Sequence, residues 1–234
     1  MKVSVIVPVY NEELTIAEVL RAVADTPGEK EIIVINDGST DGTTVALESA
    51  RPYVTHIHHA RVNEGKGTAI RTGLTYATGD IVLIQDADLE LDPRQHQALV
   101  QPIVDGRVRV VYGSRFLRPN PAIPLKTLLA NRFLTWVTNV FFGSALTDME
   151  TAFKAFRKEI VCSLPLTCRR FEFEPEVTAM LLRQGEPILE IPVDYRPRTT
   201  REGKKIRARD AWTTIWTLLK CRFSRRIPAR TALS

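Results

Sequence analysis

The sequence predicts an α/β fold, with a doubly wound, mostly parallel central sheet flanked by helices. Three observations carry this reading. Short apolar runs recur at VSVIVPV (3–9), EIIVIND (31–37), DIVLIQD (80–86) and VRVVYG (108–113). Between them lie stretches with apolar residues at helical spacing, such as ELTIAEVLRAVAD (13–25). Polar clusters directly follow several of the runs. Frequent strand–helix alternation marks parallel strands joined by crossover helices. In such sheets ligands bind beyond the carboxyl ends of the strands.

The elements follow in order. Residues 3–9 read as a buried strand, 13–25 as a helix and 31–37 as a second strand. Asp41 is placed to cap the next helix. Residues 53–59 form a weaker strand, 68–77 a helix and 80–86 a strand, and another helix starts at Pro93. After the strand at 108–113 the pattern changes. LKTLLANRFLTWVTNVFF (125–142) repeats apolar residues at the spacing of an amphipathic helix. Residues 171–184 read as a helix, 188–195 as a strand, and RDAWTTIWTLLKCRF (209–223) as a basic helix carrying two tryptophans. The amphipathic helices thus fall in the C-terminal half. The chain divides into a catalytic unit at 1–206 (a ligand-binding part at 1–115 and a second part at 116–206) and a basic helix and tail at 207–234.

Composition excludes several classes. Cys162, Cys168 and Cys221 lack paired spacing, so neither a disulfide framework nor a zinc site is indicated. Met1-Lys2 runs straight into the first strand without a signal-peptide pattern, and no apolar run reaches the ~20 residues that span a bilayer. A cytoplasmic setting is expected. From Arg196 onward twelve Lys or Arg face two acids, a net of +10. The whole chain is +5, so residues 1–195 carry −5. A basic tail on an acidic body suits an anionic partner such as phosphates or a membrane surface. Nucleic acid is not expected, because Trp212 and Trp216 share a helical face with Ile215 and Leu219 rather than forming a stacking platform.

The stretch VLIQDADLELD (82–92) ends a hydrophobic run on Asp86, Asp88, Glu90 and Asp92. In an extended chain these acids share one face, roughly 6–7 Å apart. Such crowding is relieved by a bound cation. Asp92 precedes Pro93 and suits a helix cap. NEGKGTA (63–69) is not a phosphate-binding P-loop: Ala60 stands five residues before Gly65, and Gly67 follows Lys66. His56, His58 and His59 read as a surface strand rather than a metal cluster. A nucleotidyltransferase would need a Gly-rich loop after the first strand, where this chain has PVYNEE.

The motifs VIVPVYNEE, INDGSTDGT, NEGKGTAIRTG, QDADLE, YGSRF, TDMETAFKAF and REGKKI occur in this order. In this the chain resembles glycosyltransferase family 2, with its GT-A nucleotide-sugar-binding fold, and within it the dolichol-phosphate mannosyltransferase-like or polyprenyl-phosphate branch. The resemblance implies an inverting hexosyltransferase using GDP-mannose or UDP-glucose type donors with Mg²⁺ or Mn²⁺. It implies donor contacts from Pro8, Tyr10, Glu12, Ile35, Asp37, Lys66, Asp86, Ala87, Arg201 and Lys204, with Asp37 on the base. Asp86-Ala87-Asp88 matches the family's DXD motif. Asp88 is then the main metal ligand, with Asp86 and Glu90 as further ligands. On the acceptor side the resemblance implies Arg115, Lys126, Asn131 and Arg132. Relatives carry an additional Arg shortly before Asn131, where this chain has only Lys126 as its nearest cation. Asp148 is either the general base or the orienter of an arginine, with Glu150 as its rival.

The expected acceptor is a polyprenyl phosphate at the cytoplasmic face of a membrane, reached by peripheral docking of the helices at 125–142 and 209–223. The alternative is a hydroxyl of a soluble sugar or natural product. A second copy of the chain, or a membrane-protein partner, would also suit the apolar helices.

Overall fold

Successive residues of the central strands enter two different cores, one on each side of a seven-stranded sheet. The protein is described by a computed structural model covering residues 1–198 and 208–224. The strands are β1 (Val3–Val9), β2 (Lys30–Asn36), β3 (His56–His59), β4 (Ile81–Ile84), β5 (Val110–Ser114), β6 (Lys154–Arg157) and β7 (Ile188–Pro192), in the order β3-β2-β1-β4-β6-β5-β7. All pairings are parallel except those of β6, which runs antiparallel between β4 and β5.

The helices are α1 (Ile16–Ala24), α2 (Thr43–Ser49), α3 (Lys66–Tyr76), α4 (His96–Val104), α5 (Leu125–Phe142), α6 (Lys158–Ser163), α7 (Phe173–Arg183) and α8 (Ala208–Phe223). One core joins Val5, Val7, Val34 and Leu83 to Val19 and Leu20 of α1, Leu47 of α2 and Leu99 of α4. The other joins Ile6, Ile33, Ile84 and Tyr112 to Ile70 of α3, Leu134 of α5, Val177 of α7 and Leu218 of α8. Period-two alternation along buried strands is what makes two cores from one sheet.

Three differences from the sequence reading matter for the site. First, β6 was not anticipated. It has only four residues, includes Lys154, and is defined by its pairing with β4 and β5. Second, the expected strand at 80–86 stops at Ile84, and Leu89 takes a left-handed φ of 58°. The acids at 86–92 therefore lie on a turn and do not alternate along one extended face. Third, Pro93 opens a short 3₁₀ turn before α4, and the Asp92 carboxylate caps it through Arg94 N at 2.9 Å, as expected of a cap.

A buried histidine fixes the start of that turn. His96 Nε2 donates to Gln85 Oε1 at 2.7 Å, and Gln85 Nε2 donates to Asp86 O and Leu91 O. The imidazole lies edge-on to Phe153. Burial, reinforced by the Lys30 charge, lowers the His96 pKa to about 3. The unfolded chain thus binds this proton below pH ~6.5 while the folded one does not. Stability from His96 is complete above that pH and is lost as pH falls toward 3, by at most about 1.4 kcal/mol per unit. Urea unfolding of wild type and His96→Gln between pH 7 and 5 should show a shallower loss of stability in the variant.

Candidate active site

Strand order reverses between β1 and β4, and the crevice at that switch point is where open α/β sheets place ligands. The loops after β1, β2, β4 and β5 all reach this rim, because those four strands run the same way.

The first two loops are tied together. Asn11, at a left-handed φ of 53°, receives Thr40 N at 2.8 Å on its side-chain oxygen and donates its own backbone N–H to Ser39 Oγ. Glu12 N donates to Thr43 Oγ1, and Gly42 N donates to the Glu13 carboxylate. Pro8, Tyr10 and Glu12 are half-buried along this edge. Ile35 and Ala87 are buried, with Ile35 packed into a core, so they can offer a ligand little beyond their backbones. Asp37, expected on the base, has a structural role as well. Its two oxygens accept Glu64 N at 2.9 Å and Gly65 N at 2.7 Å, which fixes the turn into α3.

The glycines of NEGKGTA serve that turn. Gly65, at φ +102°, lies so close to the chain that a Cβ would fall 2.5 Å from Arg169 O. Gly67 N and Thr68 N donate to Arg170 O and Arg169 O. The glycines admit a neighbouring loop, and two of the first N–H groups of α3 are spent on it. Lys66 points inward, its ammonium between Asp86 at 2.8 Å and Glu174 at 2.9 Å. Burial opposes that charge, but Asp86 and then Glu174 outweigh it and raise the Lys66 pKa.

The acid loop carries the main departure. Asp86 is held by Lys66, whereas Asp88 pairs with Arg198 at 2.9 Å. The Asp88 Oδ1 accepts Glu90 N, and Glu90 turns to Tyr195 Oη at 3.0 Å and Arg198 N at 2.7 Å. Asp86, Asp88 and Glu90 do not converge as three ligands, and no cluster of three metal-binding side chains occurs among the described residues. Leu89, between Asp88 and Glu90, takes a left-handed φ of 58°, and each acid has its own partner. Asp86 and Asp88 remain neighbours: burial, then Asp86 and Glu90, push Asp88 up to about 7.

At the other end of the rim, Arg115 and Asp148 form a buried, two-pronged pair. Arg115 Nε and Nη2 lie 2.7 Å from the Asp148 oxygens, and Arg115 N also donates to them at 3.0 Å. The guanidinium lies against the rings of Phe116 and Tyr195. Glu190 holds Thr147 N and Asp148 N at 2.7 and 2.8 Å. Asp148 is wholly buried and engaged by Arg115 on both oxygens, the geometry of an arginine orienter. Glu150 is half-buried and receives Thr214 Oγ1 at 3.4 Å. Burial, then Glu174, push Glu150 up to about 7. Lys154 lies beneath this loop with its ammonium donating to Met149 O and Thr151 O and facing the Tyr112 ring; burial lowers it to about 8.

The remaining acceptor-side residues are not gathered around Arg115. Lys126 and Arg132 are exposed on α5, and the Asn131 amide donates to Thr127 O of its own helix. Arg201 and Lys204 lie outside the described residues. Sequence reasoning missed Arg198, Glu174 and Glu190 as partners of the named groups. Glu174 had a local signal, a carboxylate in the apolar helix FEFEPEVTAMLL. Arg198 had none, since its partner Asp88 is 110 residues away. His56, His58 and His59 line an edge strand; His56 and His58 contact Tyr76 and His59 the Asn36 amide, and no metal-ligand set occurs among the described residues.

Removing one charge of a buried ion pair leaves the other unpaired, at a cost of about 3–5 kcal/mol. Asp148→Asn should therefore lower unfolding free energy by about 3 kcal/mol in urea titration, whereas the same change at exposed Asp194 should alter it by less than about 0.5 kcal/mol.

Comparison with known proteins adds the family. The model of glycosyl transferase family 2 matches residues 4–162. Similar solved structures include glucosyl-3-phosphoglycerate synthase from Mycobacterium tuberculosis bound to UDP, at 23% identity over 94% of this chain and 80% of that one, with a TM-score of 0.75. The same enzyme with Mn²⁺, UDP and phosphoglyceric acid gives 23% identity over 97% and 79%, with a TM-score of 0.74. Its complex with Mn²⁺, UDP-glucose and phosphoglyceric acid gives 21% over 94% and 78%, with a TM-score of 0.72. Likeness at this identity is a likeness of fold, and these structures are of glucosyl-3-phosphoglycerate synthase rather than of the polyprenyl-phosphate branch. The chain belongs to glycosyltransferase family 2 and is a glycosyltransferase.

Proposed function

We propose that the chain transfers a hexose from a nucleotide sugar, of GDP-mannose or UDP-glucose type, to a polyprenyl phosphate at a membrane surface. The donor lies in the switch-point crevice, between the Tyr10–Glu12 edge and the acid loop. Asp88, with Asp86 beside it, would hold Mg²⁺ or Mn²⁺. Such ions are bound through one or two carboxylates plus substrate phosphates, so a pair of aspartates fits without a third ligand. The ion neutralises charge on the departing diphosphate. Mn²⁺ and Mg²⁺ in glucosyl-3-phosphoglycerate synthase support this choice.

The observation that carries the lipid reading is the outer face of α5. Leu125, Leu129, Phe133, Trp136 and Val140 are each more than half exposed and fall on one helical stripe. On α8, which packs against α5, Trp212, Trp216 and Phe223 are more exposed still. Soluble surfaces rarely gather so many large apolar groups. Lys126 and Arg132 flank the first stripe, and Lys220 and Arg222 the second, as in helices lying in a lipid interface. No helix among the described residues is long and apolar enough to cross a membrane. The engaged Asp148 agrees with a phosphate acceptor, which is anionic near neutrality and needs little deprotonation. Arg115 still has Nη1 to offer such an anion, as Nε and Nη2 are taken by Asp148. Transfer is proposed to invert the anomeric centre in a single displacement, which the anomeric proton coupling of the product would report.

A second reading keeps the donor and uses a soluble hydroxyl acceptor. Phosphoglyceric acid in the similar solved structures favours it. Glu150, two residues from the arginine-engaged Asp148 and pushed up by burial and Glu174, is then the candidate base.

Incubating the protein with labelled donors and Mn²⁺ separates the two. Product in the organic phase with polyprenyl phosphate supports the first reading, and product only with phosphoglyceric acid or free sugars supports the second. In liposome flotation, Trp136→Ser combined with Trp212→Ser and Trp216→Ser should reduce binding to anionic vesicles at least tenfold without lowering the melting temperature. Wild type that fails to float would contradict the docking.

A further inference from the structure

The acid cluster already contains a cation. Arg198 Nη1 lies 2.8 Å from Glu12 Oε2, and Nη2 lies 2.9 Å from Asp88 Oδ2 and 3.2 Å from Glu12 Oε1. One guanidinium thus spans the switch-point crevice from the β1 loop to the β4 loop. Its backbone is fixed independently of that side chain. Arg198 N donates to Glu90 Oε1, Arg196 N to Glu90 O, and Tyr195 Oη to the Glu90 carboxylate. Leu91 and Tyr195 form an antiparallel bridge beside them. The side chain is 18% exposed, so its ion pairs are largely shielded from water.

We propose that Arg198 is the resident counter-cation of this cluster, that a divalent ion displaces it from Asp88, and that the released guanidinium then binds the donor diphosphate. This rests on the metal site proposed at Asp88. A divalent ion and a guanidinium repel each other and compete for the same oxygen, so the ion's arrival costs the Arg198–Asp88 bond. Glu12 remains as a tether and keeps the guanidinium in the crevice. The next anion to enter the crevice is the diphosphate, and a planar fork of donors matches phosphate oxygens. Arg198 therefore acts as a positioning group with two partners in turn. It weakens metal binding to the empty site and strengthens nucleotide binding to the metal-loaded one.

The two effects have opposite signs, which no merely structural role would produce. Mn²⁺ titration followed by electron paramagnetic resonance, without nucleotide, should give a Kd about tenfold lower for Arg198→Ala than for wild type. At saturating Mn²⁺, calorimetry should show the same variant binding UDP or GDP, whichever wild type binds, about tenfold more weakly. Arg198→Lys, which cannot bridge both acids with a fork, should shift Mn²⁺ affinity in the same direction by a smaller factor, and it serves if the alanine variant does not fold. Unchanged or weaker Mn²⁺ binding in these variants would overturn the proposal while leaving the metal site standing. Wild-type Mn²⁺ affinity in Asp88→Ala would overturn the metal site, and the proposal with it.

Discussion

The site depends on neutralising a crowd of carboxylates at the end of β4. Asp86, Asp88 and Glu90 leave the sheet within five residues, and Glu12 faces them across the crevice. Like charges at such distances repel, and burial raises the cost. Two cations answer this in two ways. Lys66 is buried from below against Asp86 and Glu174. Arg198 reaches from the far end of the chain to Asp88 and Glu12. Arg115 and Asp148 form a separate pair at the other end of the rim, braced by Glu190. The rim is thus built from ion pairs with buried members, which hold shape because neither partner can be lost cheaply.

The sheet was legible because its signal is local. VSVIVPV, EIIVIND and the helix at 125–142 carry their periodicity within one element, and the structure places all three within a residue or two of the expected bounds. β6 was not legible because KAFR is short and interrupted by charge; it is a strand only because β4 and β5 lie on either side. Helix starts at 13 and 93 were read too early for a similar reason, since turns with polar residues look like first helical turns until the hydrogen bonds are known.

The site was legible in its residue types and less so in their partners. The rim clusters, the Asp92 cap and the placing of Asp86-Ala87-Asp88 at the end of β4 followed from spacing and resemblance. Their orientations did not. A single left-handed residue, Leu89, turns Glu90 away from Asp88 and toward Tyr195. Asp37, expected on the donor base, also fixes the turn into α3, where Gly65 admits residues 169–170. Lys66, expected among the donor contacts, pairs with Glu174 across 108 positions of sequence, a partner that no local pattern marks. Long-range pairing decided each case, and no local pattern encodes it.

The proposed function requires that the crevice between β1 and β4 bind a nucleotide sugar through a metal held at Asp88. The direct test is a thermal-shift panel of GDP-mannose, UDP-glucose, UDP-galactose and UDP-N-acetylglucosamine, with and without Mn²⁺, on wild type and Asp88→Ala. The account predicts that one donor raises the melting temperature of wild type only when Mn²⁺ is present, and that Asp88→Ala, itself folded, shows no such rise. A donor that stabilises both proteins equally, or stabilises wild type as well without metal as with it, would contradict the claim.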